Sequence, residues 1–195
     1  MSGLRHVRTI VVAHGASEVI LCESIKANLR LPMEIISENG GSKCIQINAL
    51  RNFFSEDNFS KHIEQFSKSH RFQIENNRML VNTTIFTIMD TDDCKSNTLD
   101  CYKNGDLFSE SPYSSMIVPI FNSPKLDSVM EEMGFAIDTR QKRKSYERIF
   151  PGENGNVEAA LKLLDNVTGI KNSNLNIFLE HCVKEARKNS FNKRF

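Results

Sequence analysis

Strand-like and helix-like periodicity alternate along the first two thirds of this chain, and helical periodicity dominates the remainder. That order constrains the fold more than any other feature, because strands separated by helices line up in parallel within one sheet. Val7 to Ala13 is a β-rich run that stops at His14-Gly15. VILCESIKANL then repeats apolar residues at helical spacing, with Ser17 standing where an N-cap belongs. Pro32 closes that region, and MEIIS reads as a short second strand ended by Asn39-Gly40-Gly41. Asn48 to about Lys68 predicts a longer helix carrying Phe53, Phe54, Phe59 and Phe66, with the phenylalanines in the core. Arg71 to Asn82 is polar and predicts a loop or a short irregular element.

TIFTIMD, from Thr84 to Asp90, is the third strand, and SNTLDCYKNGDLF is a short helix stopped by Gly105. SMIVPIF is a fourth strand, and its Pro119 suits a sheet edge. After Ser123-Pro124 the pattern turns helical over Lys125–Met133, Lys144–Phe150, Val157–Val167 and Leu175–Lys188. The expected fold is therefore α/β, with a mainly parallel sheet of about four strands and helices on both faces. Residues 1–122 would form the core, and residues 123–195 a helical C-terminal extension packed on it.

A chain of 195 residues suits one domain with a sizeable core. Its 39% hydrophobic and 25% charged residues are ordinary for a soluble protein. The net charge of +1 neither demands nor excludes a nucleic-acid partner, since phosphates can be gripped by a local patch. No window approaches the roughly 20 apolar residues needed to cross a bilayer. The start, MSGLRHVRTIVVAHG, lacks the apolar core and cleavage site of a secretory signal. Five scattered cysteines with no C-x-x-C pair predict reduced thiols in a cytoplasmic protein rather than disulfides or zinc. Oligomeric state is left open, a homodimer included.

The third strand ends on carboxylates spaced D-x-D-D: Asp90, Asp92 and Asp93. Like charges crowded together repel, which costs stability unless something positive sits among them. In an open parallel sheet ligands bind beyond the carboxyl ends of the strands, and Glu18, in the turn after the first strand, belongs to that same edge. Glu18, Asp90, Asp92 and Asp93 thus make a candidate oxygen cage for Mg²⁺ or Mn²⁺, a centre suited to phosphoryl chemistry. Each has a plainer reading. Glu18 suits the first turn of a helix, and Asp92 and Asp93 suit a turn or a helix cap. Gly40, Gly41 and Lys43 follow the second strand and could cradle a substrate phosphate, or form an ordinary loop. The basic run Arg140–Lys144 could track a nucleic-acid backbone, with Lys144 as a phosphate contact, or simply be solvated.

A strand, a glycine turn with glutamate, and a later hydrophobic strand ending in D-x-D resemble the Toprim signature. The matching residues are Gly15 and Glu18 in VVAHGASE, and Asp90 and Asp92 in FTIMDTDD. A looser resemblance, carried by FNSPKLDSVM and GIKNSNLNIFLEHCV, is to the RloB and AbiLii proteins of abortive infection. Lys125-Leu126-Asp127 departs from that pattern, and the chain has no tryptophan. The resemblance implies a Toprim-type nuclease acting on RNA, tRNA among the targets, or on DNA. It would be a toxic effector of antiphage defence controlled by an ABC-type ATPase partner. Glu18 would be metal ligand or general base, Asp90 and Asp92 catalytic metal ligands, and Asp93 an outer-shell or second-metal group. Cys22 stands where related nucleases carry a further acid, with Glu23 beside it, so one metal or two stays open. The alternative is a Toprim-like subunit that binds an ATPase or nucleic acid without catalysis.

Overall fold

The computed structural model describes residues 7–55, 58–63, 74–75, 79–153 and 155–191. Four strands form the main sheet: β1 (Thr9–Ala13), β2 (Met33–Ile36), β5 (Thr84–Asp90) and β6 (Ile117–Asn122). Their order is β2-β1-β5-β6 and every pairing is parallel, as the alternation predicts. Pro119 lies on β6, an edge strand, where its missing N–H costs least. Two shorter strands, β3 (Ile74–Glu75) and β4 (Met79–Leu80), pair antiparallel as a small hairpin. They occupy the stretch expected to be irregular.

Helix α1 (Ala16–Leu29) joins β1 to β2, and α4 (Ser96–Asn104) joins β5 to β6. Strand order therefore reverses between β1 and β5, the position beyond whose carboxyl edge open α/β sheets bind ligands. Side chains alternate across the sheet because successive Cβ atoms point to opposite faces. Val11, Phe86, Ile88 and Ile120 pack on α1 and on the C-terminal helices. These are α5 (Leu126–Glu132), α6 (Lys142–Ile149), α7 (Val157–Val167) and α8 (Leu175–Phe191). Ile10, Val12, Ile85 and Met89 face the other way, onto Phe54, Phe59, Tyr102 and Phe108. Helices thus cover both faces, and the C-terminal helices share one continuous core with α1 and the sheet.

Two local expectations are corrected. The long helix from Asn48 is broken into α2 (Leu50–Phe53) and α3 (residues 58–63), and the remainder of the predicted helix, Phe66 included, lies outside the described residues. Polar side chains end α2: Ser55 Oγ and Asn58 Nδ2 both donate to the Asn52 carbonyl at 2.9 Å. The break lets Phe54 and Phe59 meet at 4.8 Å between ring centroids, both fully buried. The N-cap of α1 is Gly15 rather than Ser17. Ser17 is buried, and the first turn is closed instead by Glu18 reaching back to the Gly15 N–H at 2.9 Å.

On the β5–β6 seam the Tyr102 hydroxyl lies 2.7 Å from the Thr87 carbonyl oxygen and 2.8 Å from that of Ile120. The Thr87 hydroxyl sits 2.9 Å from the Tyr102 hydroxyl oxygen. Tyr102 is fully buried, so Tyr102→Phe strands a threonine hydroxyl without replacing its partner. The expected loss is about 1–3 kcal/mol, read as a lower urea midpoint at unchanged slope. An unchanged midpoint would show that the seam does not depend on this phenol.

Candidate functional site

The site is built where β1 and β5 end side by side. Ala13 pairs with Ile88, and the His14 N–H donates to the Ile88 carbonyl at 2.9 Å. That register brings the start of α1 beside Asp90. Glu18 sits one turn into α1 and is only 2% exposed. Its Oε2 accepts from the Gly15 N–H, while its Oε1 is buried with no hydrogen-bond partner among the described residues. Asp90 closes β5, and its Oδ1 accepts from the Leu126 N–H at the start of α5, at 2.8 Å. The Thr91 N–H, bonded to the Pro124 carbonyl at 2.8 Å, pins the following turn.

Burial pushes the Glu18 carboxyl up to about 7, opposed by backbone hydrogen bonds at the helix start and by the charge of Lys142. Asp90 is also pushed up to about 7, by burial first and then by the Glu18 charge. The Leu126 hydrogen bond and His14 pull it the other way, and Asp92 adds to the rise. Near neutral pH the pair therefore holds on to protons that isolated carboxylates would have released.

The positive charge beside this pair comes from residues that the sequence reading did not single out. Lys142 Nζ on α6 lies 2.9 Å from Asp127 Oδ2, and the Tyr146 hydroxyl donates to Asp127 Oδ1 at 2.7 Å. Burial works against the ammonium of Lys142, yet Asp127, Glu18 and Asp90 together hold its pKa above the ordinary value. Burial, then Asp127, pushes the Tyr146 phenol up as well. Lys142 and Tyr146 are four apart on a helix and so share one face, a signal that the basic run obscured. Lys144, favoured from sequence, is exposed and lies about 200° round the helix from Lys142.

The other candidates take different places. Asp92 and Asp93 are exposed in the turn after β5, and Asp93 Oδ2 accepts from Gln46 Nε2 at 3.2 Å. Gly41, at φ +83°, packs on the start of α1, where an added Cβ would stand 2.8 Å from the Ala16 Cα. Gly40 is exposed at φ +63°, and Lys43 pairs with Glu38 at 3.4 Å. His14 Nδ1 lies 2.9 Å from the Ile45 carbonyl, and the Ile45 N–H donates to the His14 carbonyl at 2.8 Å. The histidine clips this loop to the strand end.

Among the described residues, no three His, Cys, Asp or Glu side chains stand together as a ready-made metal cage. Two carboxylates with one unpartnered buried oxygen do fit the Mg²⁺ pattern, in which one or two protein carboxylates are completed by water and substrate phosphate. No family model, curated protein or solved structure matches this chain.

The raised carboxyls set the sign of a pH effect. Between the ordinary carboxylate range and about 7 the native state binds protons that the unfolded chain has released. This contribution to stability is full at the acid end and is lost as pH rises toward 7. Glu18→Gln keeps an acceptor for the Gly15 N–H and removes the charge. In metal-free buffer it should melt several degrees above wild type at pH 7.5, with the gap closing near pH 4.5. Parallel melting curves across that range would refute the shared-proton pair. Millimolar Mn²⁺ should raise the melting temperature of wild type at pH 7.5 and leave Asp90→Asn nearly unmoved. An equal gain in both proteins would remove Asp90 as a ligand.

Proposed function

We propose that this chain is a metal-dependent phosphodiesterase of nucleic acid, with Glu18 and Asp90 as the protein ligands of Mg²⁺ or Mn²⁺. The observation that carries the reading is the unpartnered Glu18 Oε1, buried beside Asp90 at the point where strand order reverses. A bound divalent ion would supply charge neutralisation at a phosphate and a more acidic water. The chain's own groups suit the rest of the reaction. Glu18, where it is not itself a ligand, would be the base that takes a proton from the attacking water. Asp90 is held in place by the Leu126 N–H. The Lys142 ammonium, oriented by Asp127, can stabilise the charge that develops on a phosphate oxygen. On this reading Asp92, exposed in the turn after β5, would help with the ion, and Asp93 would act from further out.

The Toprim-like motif supports a nuclease, and the looser RloB and AbiLii resemblance supports an antiphage effector whose target is tRNA, other RNA or DNA. On that reading an ABC-type ATPase restrains the activity in the cell until it is triggered. A specific observation favours the alternative of a non-catalytic binding subunit. Glu18 and Asp90 each spend one oxygen on a backbone N–H, and Asp93 is turned to Gln46.

Cleavage of a mixed pool of tRNA, single-stranded RNA and DNA decides between the readings. Wild type should cut in Mn²⁺, with the triggered ATPase present, and Glu18→Gln should lose roughly 10²–10⁴-fold in rate while keeping its fold. Lys142→Ala should lose roughly 10²–10³-fold. Equal rates for wild type and Glu18→Gln would take Glu18 out of the mechanism. No cleavage by either would favour the binding subunit.

A further inference from the structure

Strand β2 is short, and the chain after Ile36 doubles back on itself, with the Lys43 N–H donating to the Glu38 carbonyl at 3.3 Å. Helices α2 and α3 pack across this return. Between them and the end of β2 lies a cavity of about 600 Å³, lined in part by Ser37, Asn39, Cys44, Asn52, Phe53 and His62. Its aromatic wall is already stacked: the Phe53 and His62 rings lie 5.2 Å apart at an interplanar angle of 28°. Both rings are only half-buried, so part of the aromatic surface faces the cavity. Burial lowers the pKa of His62, which favours the neutral ring. Amides furnish the polar part of the lining: Asn58 Nδ2 lies 3.3 Å from Asn52 Oδ1, and Asn39 is exposed.

One residue joins this cavity to the carboxylate pair. Cys44 lines the cavity, and its thiol is pushed up by burial and then by the charges of Glu18 and Asp90. Its Sγ lies 3.5 Å from where a Cβ on Gly15 would stand, so the wall is one residue thick. The His14–Ile45 hydrogen bonds hold that wall against the end of β1.

We propose that this cavity is a nucleobase subsite, in which an unpaired base stacks on the Phe53–His62 surface and meets the asparagine amides at its edge. The attached phosphate then lies on the Cys44 side of the cavity, the side on which Glu18 and Asp90 stand. The inference rests on the phosphodiesterase reading and narrows its substrate to a single-stranded or extruded nucleotide. An intact duplex cannot offer a base face to such a pocket. A stacking platform with polar amides at its rim suits a base, which has both a π-face and hydrogen-bonding edges, better than an acyl chain, which has neither. Lys61 and Glu38, both exposed, add one charge of each sign to the lining.

The test uses the full chain in EDTA and needs no turnover. Adenosine 5′-monophosphate and ribose 5-phosphate are titrated separately and followed by calorimetry or NMR. The nucleotide should bind at least roughly tenfold tighter than the sugar phosphate. Two variants probe the cavity: His62→Ala removes half the stack, and Ala49→Trp fills the space from an exposed position. Each should weaken the nucleotide by roughly tenfold and leave ribose 5-phosphate unchanged, with folding checked by urea unfolding. Equal affinity for the two ligands, no nucleotide binding at millimolar concentration, or indifference to both variants would overturn the subsite. Loss of base preference with Glu18-dependent cleavage intact sinks the subsite alone. Base-selective binding beside cleavage indifferent to Glu18→Gln sinks the phosphodiesterase reading and keeps the pocket.

Discussion

The Glu18 carboxylate is the constraint on which the rest of the site depends. One of its oxygens accepts from the Gly15 N–H and so starts α1, the helix that carries the chain from β1 to β2. The other is buried without a partner beside Asp90. A side chain that served only to cap the helix could do so from an exposed position, where both oxygens would meet water. Burying it costs desolvation and repulsion, and the raised carboxyls of Glu18 and Asp90 express that cost. Such a cost persists in a fold when the surrounding structure over-determines it. Here the surroundings are the Gly15–Gly41 packing, the His14–Ile45 clip and the α5 N–H on Asp90.

The C-terminal helices belong to the site as much as to the core. Residue 126 supplies the N–H that orients Asp90, and residues 127, 142 and 146 form the Asp–Lys–Tyr group beside Glu18. Asp127 is buried with both oxygens engaged, and a second cation, Lys125, stands 3.9 Å from its Oδ2, so removing Asp127 would leave two ammonium groups without their carboxylate. The arrangement is strongly coupled: a carboxylate pair short of positive charge faces a lysine held charged by a third carboxylate. Helix α6 packs on α1 and α5 on β6, and Leu126, Val129, Tyr146 and Phe150 all belong to the core that includes Leu21 and Ile25. Packing and site electrostatics are therefore set by the same contacts.

The two faces of the sheet divide the work. On one face α1 and the C-terminal helices bring charge to the carboxyl edge, and on the other the phenylalanine-rich segments form an aromatic layer. Phe54 and Phe59 are sealed into that layer, whereas Phe53 lies at its margin, half-buried against His62. A single helix across Asn48–Lys68 would have put Phe53 and Phe54 on one continuous rod. The break at Asn52–Asn58 turns the chain, and Phe53 comes to line the cavity beside β2.

Local periodicity was sufficient to read the four strands of the main sheet, their parallel order, the edge position of β6 and the acids at the carboxyl edge, because each depends on short-range pattern or on a topological rule. Val7–Ala13, MEIIS and TIFTIMD form strands where the pattern placed them, and Glu18 and Asp90 meet because β1 and β5 are neighbours. Three features depended on contacts distant in sequence and were settled only by the tertiary structure. Gly15 displaced Ser17 as the cap of α1 because Glu18 could reach back to its N–H and Ser17 was needed in the core. Lys142 rather than Lys144 turned inward, since the face of α6 that meets α1 is chosen by Tyr146 and its hydrogen bond to Asp127. The phenylalanine segment broke in two because asparagine and serine side chains took the carbonyl that the next helical turn would have used. A pattern of apolar residues tells which residues are to be buried, and the packed fold decides which charges are buried with them.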